Sequence, residues 1–575
     1  MRRVLRAVRA GLPGGGEETI YARHAGHLPQ HPGRRVVVVA GAQAPERVRE
    51  ALRAFRGGEL HVLAPHRHAD WELESVGGQH HTTRQLWDMD RELRLMGPVD
   101  VLVDLEQAAA SVHQDRWSHL FFHLAHGGAW ILPRTAIGGG GAGLDSLARV
   151  AQLVAGDGAV PATHRERSLG QATSEVLMTS DVVLVRKRDH HLAALGEREA
   201  VRVLSTREPE LDVSVLGRLP ARTFDSGIEV VSHEADVPAD GLETTFAVPE
   251  MRVRRYQGRV AVSSNSLVYS GSSVLPESFR HPFERNLRTT RLVPSRAGFG
   301  RVEDEFRPRR QLRGSYFHVD SSNSGHFGHV LTEVLSRMWA WQLAKAEIPD
   351  LKAVLRIRFA GERDPDLERR LFAGLGVAPS DVVAIDQPVW VDELVGATPM
   401  MQNKVPYYVH PDIVERVWRP VTAALREGRT GVGERVFVSR RSAGGSRSCH
   451  NTAQVEALFQ DHGFVVVYPE DHDLAEQAAV FHDARVLAGF GGSALFNAMH
   501  CRDLEHLVVL NSDAYTARNE QLYAAALGAK VTYFWNTPDT RVVPGTWSND
   551  AYTSSWTFDL DRHREALRAL FGELG

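Results

Sequence analysis

Between Arg435 and Asn497 runs of apolar, largely β-branched residues alternate with helical patterns, and no other stretch limits the fold so tightly. RVFVS and GFVVVY read as strands, DLAEQAAVFHDA as a helix, and RVLAGF as a strand running into GGSALFN. That order builds a parallel sheet from βα units, and ligands of such sheets bind beyond the carboxyl ends of the strands. Arg440 and Arg441 follow the first strand; Gly491, Gly492 and Ser493 follow the third and open a helix through Asn497. A small-residue loop at a helix start offers backbone N–H groups to an anion, and arginine offers paired donors to the same charge. The expectation is a diphosphate seat, most simply that of a nucleotide-sugar. Adjacent residues on a strand face opposite ways, so only one of the two arginines is expected to reach it.

At 575 residues the chain exceeds one hydrophobic core, and about two to four domains are expected. A net charge of −4 gives no electrostatic reason for a nucleic-acid partner. Cys449 and Cys501 alone cannot form a disulfide framework or a Cys/His metal site, which suits a reducing, cytoplasmic setting. No apolar run is long enough for a membrane span. Residues 1–30 read as a flexible basic tail, in which Arg2, Arg3, Arg6 and Arg9 would suit at most a peripheral contact with the inner membrane face.

Residues 31–215 read as a Rossmann-like α/β domain, with strands VVVVA, ELHVLA, VDVLVD and AWILP and a closing hairpin at VLMTSDVVLVRKR. Its strand ending in Asp104, helix, Gly127-Gly128 turn and following strand resemble a class I methyltransferase, but Gly41-Ala42-Gln43-Ala44 lacks the glycine-rich cofactor turn. A non-catalytic domain is therefore preferred. The glycine run at 138–141 has no Walker-type lysine and reads as a connection. Residues 216–428 begin with short alternating strands that show no chemistry. They continue with Asn323-Ser-Gly-His326-Phe-Gly-His329, where a helical pattern begins with Val330, Val334, Met338 and Trp341 on one face. His329, Glu333 and Arg337 are spaced to share another face, so a Glu333–Arg337 surface pair is the plain reading. Residues 429–575 hold the stretch described first and a closing helix. Asn451-x-x-Gln454 and Asp473-x-x-Glu476 both look like helix caps. The acidic pairs Asp88/Asp90, Asp364/Asp366 and Asp559/Asp561 follow no buried strand and read as surface charge, so no metal is expected.

Two blocks resemble glycosyltransferase family 61. The first is Gly328-His329-Val-Leu-Thr-Glu333-Val-Leu-Ser-Arg337-Met-Trp339. The second joins Ser439-Arg440-Arg441, Arg447, Asn451, Gly463-Phe464, Pro469-Glu470 and Glu476-Gln477 to Gly489-x-x-Gly492-Ser493-Ala494-Leu-x-Asn497. The resemblance implies an α/β enzyme with two Rossmann-like domains facing a cleft, GT-B-like, behind the additional amino-terminal Rossmann-like domain. Residues 429–575 would hold the donor and 216–428 the acceptor. It also implies an inverting glycosyltransferase that moves sugar from a nucleotide-diphosphate donor to a glycan or lipid-linked saccharide, as in surface or capsular polysaccharide synthesis, with no cofactor. His329 and Glu333 become the candidate bases. Arg440, Arg441, Arg447, Glu476, Gly491, Gly492, Ser493 and Asn497 become donor-side groups, with His326 and Arg337 on the acceptor side. Two positions depart from the family pattern: Gly491 stands where a histidine is usual, and His326 where an asparagine is usual. The first departure keeps open a weakened, binding-only protein; the methyltransferase-like region keeps open a bifunctional enzyme.

Overall fold

Strands whose every residue is apolar have no face to give to water, and here they form the interiors of parallel sheets covered by helices. The computed structural model describes residues 18–41, 45–138, 144–156, 159–233, 241–263, 266–323, 325–356, 366–441, 447–541 and 547–575. The basic arginines of the tail, Ala42–Ala44, most of the glycine run, Asp364 and the loop at 442–446 lie outside them. The architecture is α/β, with parallel and mixed sheets of Rossmann type. The chain divides into two compact units, Met1–Asp212 with Tyr269–Pro276 and Asn286–Arg307, and Val213–Val268 with Glu277–Arg285 and Pro308–Gly575.

In the first unit a seven-stranded sheet runs Gln79–Thr82, Glu59–Ala64, Arg35–Val39, Val99–Asp104, Leu124–Pro133, Val182–Lys187, Thr173–Met178. The first five strands are parallel, in the 3-2-1-4-5 order of Rossmann sheets. The last two close it as the antiparallel hairpin read from the sequence. Asp104 ends its strand fully buried, held by His113 Nδ1 at 2.8 Å and Arg116 Nη1 at 2.5 Å, while Arg116 Nη2 reaches Glu106 at 2.5 Å. Asp104, His113, Arg116 and Glu106 thus form an ion network at this end of the sheet. A side chain at Gly41 would meet Glu106 Cγ at 3.2 Å.

Two larger sheets organise the second unit, beside two short two-stranded pairs. One orders Met251–Val262, Val389–Ala397, Arg310–His318, Lys352–Arg356 and Val382–Ile385, with only the first strand antiparallel to its neighbour. The other is parallel throughout: Val230–His233, Lys530–Asn536, His506–Ser512, Val486–Phe490, Arg435–Val438, Val465–Val467. Counted from Arg435, its five carboxyl-terminal strands follow the order 2-1-3-4-5. The chain reverses its winding between Arg435–Val438 and Val486–Phe490, and such a switch point opens a crevice at the strand ends. Arg440 and Gly491 lie just past those two strands.

Two expectations about helices need correction. The segment after His326 is not one α-helix: Phe327–His329 leads into a π-helix over Val330–Val334, a 3-10 stretch over Leu335–Ala340 and an α-helix over Trp341–Glu347. Every residue from Val330 to Trp341 is buried, so no surface face exists for a Glu333–Arg337 pair. Asn451 begins its helix without capping it; its side chain instead accepts from Phe558 N and donates to Phe558 O, each at 2.9 Å. Asp473 and Glu476 do form the reciprocal capping box. Among the described residues no helix is long and apolar enough to cross a membrane.

Candidate active site

The two motif blocks meet at one glycine. Gly328 is buried where a Cβ would stand 2.7 Å from Ser493 Cβ and 3.2 Å from Phe496 Cε2. Only a residue without a side chain lets the start of the His329 segment approach the loop after Val486–Phe490 so closely. That loop continues as a 3-10 helix over Ser493–His500. Phe496 stacks on Tyr523 at 5.1 Å, and Tyr523 on Trp418 at 4.7 Å, which fixes the helix against its neighbours.

On the first block, His329 Nδ1 and Arg280 Nε both bond Glu333 Oε1, the arginine at 2.7 Å. The Glu333 side chain is 8% exposed. Burial alone would raise its carboxyl; Arg280, then His329, reverse this and hold it below the usual carboxylate range. An ionised carboxylate only accepts, so the proton between it and His329 belongs to Nδ1. Nε2 faces the Asn323 amide nitrogen, a donor, at 3.3 Å. His326 packs edge-on to His329 at 4.9 Å and is exposed. Asparagine contact to the ring therefore comes from Asn323, not from position 326. The π-helical turn explains why Arg337 does not pair with Glu333: bonding of i to i+5 shifts the angular register, and Arg337 points inward to the carbonyls of Glu277 and Phe279.

On the second block the arginines part as adjacent strand-end residues should. Arg440 turns in: its Nη2 donates to the Gly491 carbonyl at 2.8 Å, and a side chain at Gly492 would run into its guanidinium. Arg447 Nη1 stands 3.7 Å from that same point, with its guanidinium over the Tyr515 ring at 4.4 Å. Burial, then the nearby Arg447, lowers the Arg440 pKa from its usual value. Two cations converging on one glycine repel each other unless an anion lies between them. Arg441 turns out: it is 59% exposed, bonded to Asp471 and stacked 3.8 Å from Tyr468, so its assignment to the donor side is corrected.

Three further assignments change. The amides of Gly491 and Gly492 are not left for a ligand, because Gly491 N donates to Leu510 O at 2.9 Å and Gly492 N to Glu520 Oε1 at 2.6 Å. Only Ser493 keeps the expected place at the first turn. Glu476 is engaged in its cap. Asn497 is buried and donates to Ala494 O at 3.0 Å, supporting the loop from within. At Gly491, the family's histidine position, a side chain would meet Asn511 Nδ2 at 2.6 Å; Asn511 occupies that space.

Residues that the sequence did not single out complete the site. Arg280 and Glu333 line a small recess, with a cavity volume of about 10 Å³, together with His281, Gln402, Asn403 and Asn519. Burial, then Arg280, pushes His281 down to about 3, so it is neutral near pH 7. Asn403 Nδ2 donates to Asn519 Oδ1 at 2.8 Å. Asn519 starts the helix whose next residue, Glu520, holds Gly492. Burial pushes the Glu520 carboxyl up, against the pull of the Gly492 amide. Among the described residues no group of three or more His, Cys, Asp or Glu is placed to hold a metal. The described acidic pairs serve locally: Asp88 caps a helix, Asp90 bonds His123 and Arg296, and Asp559 accepts from Arg562 N.

The fold and site are those of an α/β protein with a cationic switch point beside a histidine–carboxylate pair. Residues 327–508 match the family model described as Glycosyltransferase 61, the segment in which both motif blocks lie. No curated protein matches the chain. Among solved structures, the MycE methyltransferase from the mycinamycin biosynthetic pathway, in complex with Mg and SAH, is 16% identical, with 30% of this chain and 51% of that chain covered and a TM-score of 0.24. PigF with SAH is 12% identical, with 28% and 52% covered and a TM-score of 0.17. The chain spans about half the length of each, and scores at that level define neither fold nor function.

Proposed function

We propose that the chain is an inverting glycosyltransferase that moves a sugar from a nucleotide-diphosphate donor to a glycan or lipid-linked saccharide hydroxyl. One observation carries this reading: the contact of Gly328 with Ser493 sets the His329–Glu333 pair beside the loop on which Arg440 and Arg447 converge. In the transfer the acceptor oxygen attacks the anomeric carbon from the face opposite the diphosphate. The acceptor proton passes to His329 Nε2, while Glu333 orients the ring and stabilises its positive charge. The bond from the anomeric carbon to phosphate oxygen breaks, and the leaving charge develops against Arg440 and Arg447. The donor and acceptor halves would take a GT-B-like arrangement. The family resemblance suggests a cytoplasmic role in surface or capsular polysaccharide synthesis, with peripheral membrane contact through the basic tail.

The test is thermal stabilisation by a panel of UDP- and GDP-sugars. A donor at a hundred times its dissociation constant should stabilise the chain by about 2.7 kcal/mol. Arg440→Ala should abolish that shift, whereas Arg441→Ala, at an exposed ion pair, should leave both the shift and turnover within about twofold. Equal losses in the two variants, or no shift with any donor in the parent, would sink the reading. Two guanidiniums offset the charge on the leaving group, so no metal is expected to be needed. Turnover should persist in excess EDTA, and its loss there with recovery on Mg²⁺ or Mn²⁺ would contradict that expectation.

A further inference from the structure

A tryptophan that leaves most of its ring in water gives up the burial that ordinarily holds such a side chain, and Trp547 is 70% exposed. We propose that its indole is the platform on which the base of the donor nucleotide stacks, one step outward from the seat formed by Arg440 and Arg447. The inference rests on the transferase reading for the word donor, and on the following geometry for the site itself.

Local sequence sets the ring. Ser548 caps the helix Asn549–Thr553, its side chain accepting from Ala551 N at 3.3 Å. Trp547 therefore stands just before the cap and Tyr552 four positions after it, the spacing of a hydrophobic staple. The two rings do meet, tilted at 45° with centroids 6.4 Å apart. A staple accounts for the side of the indole toward Tyr552, but not for the large part left in water. Single exposed apolar side chains are ordinary on protein surfaces, so exposure alone assigns nothing. What assigns a ligand is the row of groups that Trp547 heads. Tyr552 lies 5.1 Å from Tyr515, and the Arg447 guanidinium stands over both rings, 4.4 Å from Tyr515 and 5.8 Å from Tyr552. Arg447 Nε is buried and has no hydrogen-bond partner among the described residues. The backbone ties the row together: Arg447 N donates to Thr553 O at 2.9 Å, Trp556 N to Ser448 O at 3.0 Å, and His450 N to Trp556 O at 2.8 Å. The cation and the aromatic ring thus ride on two segments laced to each other, and a ligand held by one is offered the other at a fixed spacing. A nucleoside diphosphate is such a ligand, with a flat base and a charged diphosphate joined through ribose. A neutral sugar brings no charge for the arginines, and a free phosphate no flat face for the indole. Every base has a π-face, so the platform strengthens binding without selecting among bases.

Titration calorimetry of the full chain with UDP, GDP, CDP and ADP, and with inorganic pyrophosphate, tests the platform without needing an acceptor. The wild type is expected to bind at least one nucleotide, more tightly than pyrophosphate. Trp547→Leu keeps an apolar staple and removes the π-face; it should weaken that nucleotide about tenfold and leave pyrophosphate within about twofold. Trp547→Phe restores an aromatic face and should recover the nucleotide to within about threefold of wild type. Unchanged nucleotide binding in Trp547→Leu, or an equal loss for pyrophosphate, overturns the proposal and leaves the ring a staple. Its failure is separable from that of the transferase reading. A nucleotide-sugar shift that does not depend on Trp547 leaves the donor site standing without the platform. Nucleotide binding that does depend on Trp547, with no nucleotide-sugar shift, leaves the platform standing alone. A wild type that binds no nucleotide overturns both.

Discussion

His329→Ala is expected to lower kcat for sugar transfer about 10²–10⁴-fold while leaving the nucleotide-sugar thermal shift intact. Among the described residues the ring's Nε2 meets only the Asn323 amide at 3.3 Å, while Nδ1 is engaged with Glu333. Its removal takes away the proton acceptor and leaves the Arg440–Arg447 seat untouched. Glu333→Gln should act through the histidine. An amide can present N–H to Nδ1, which favours the wrong tautomer, and it no longer offsets the imidazolium formed in the transition state. Loss of the carboxylate also leaves the Arg280 guanidinium without its 2.7 Å partner. We therefore expect Glu333→Gln to lower kcat by about 10²-fold or more. Unchanged kcat in His329→Ala, with donor binding retained, would remove the histidine from the chemistry.

What could be read from the chain beforehand follows from how many residues carry each signal. Strand runs such as VVVVA and VLAGF are continuous and apolar because their sheets are covered on both faces, and the structure places them as strands. The opposite fates of Arg440 and Arg441 follow from strand geometry alone, although which arginine turned inward did not. The misread positions are single polar residues with two local options. Asn451 suits a cap, yet Phe558, more than a hundred residues further on, offers its backbone to the same side chain. Glu333 and Arg337 suit an α-helical pair, yet the π-helical turn rotates them apart. Arg280, His281 and Asp320 were invisible for a different reason. They sit singly in a region of short strands, and only the packing of the second unit brings them to Glu333. Glu520 was likewise hidden, because a glutamate at a helix start reads as a favourable first-turn charge and not as the partner of a glycine amide.

Asp320→Asn is expected to alter the pH dependence of stability more than its absolute value. The folded chain holds this carboxyl at about 7, through burial only partly countered by the amides of Ser321 and Ser266 and by Arg356. In an unfolded chain it would titrate near 3.9. Between those values the folded state binds the extra proton, so this residue's contribution to stability declines as pH rises and levels off above about 7. From pH 4.5 to 8 the decline amounts to roughly 3 kcal/mol. Asparagine has no proton to lose and escapes it. The variant does leave one of the two bonded amides facing its own NH₂ group, at about 1–3 kcal/mol, but that cost is the same at both pH values. Glu333 has the opposite sign, since its depressed carboxyl stabilises the fold above the unfolded pKa and loses this as pH falls. It is present in both proteins and cancels in the difference. Urea midpoints of wild type and variant at the two pH values should therefore diverge, with the variant gaining relative to wild type at pH 8. A constant offset would mean that Asp320 does not keep its proton in the folded chain.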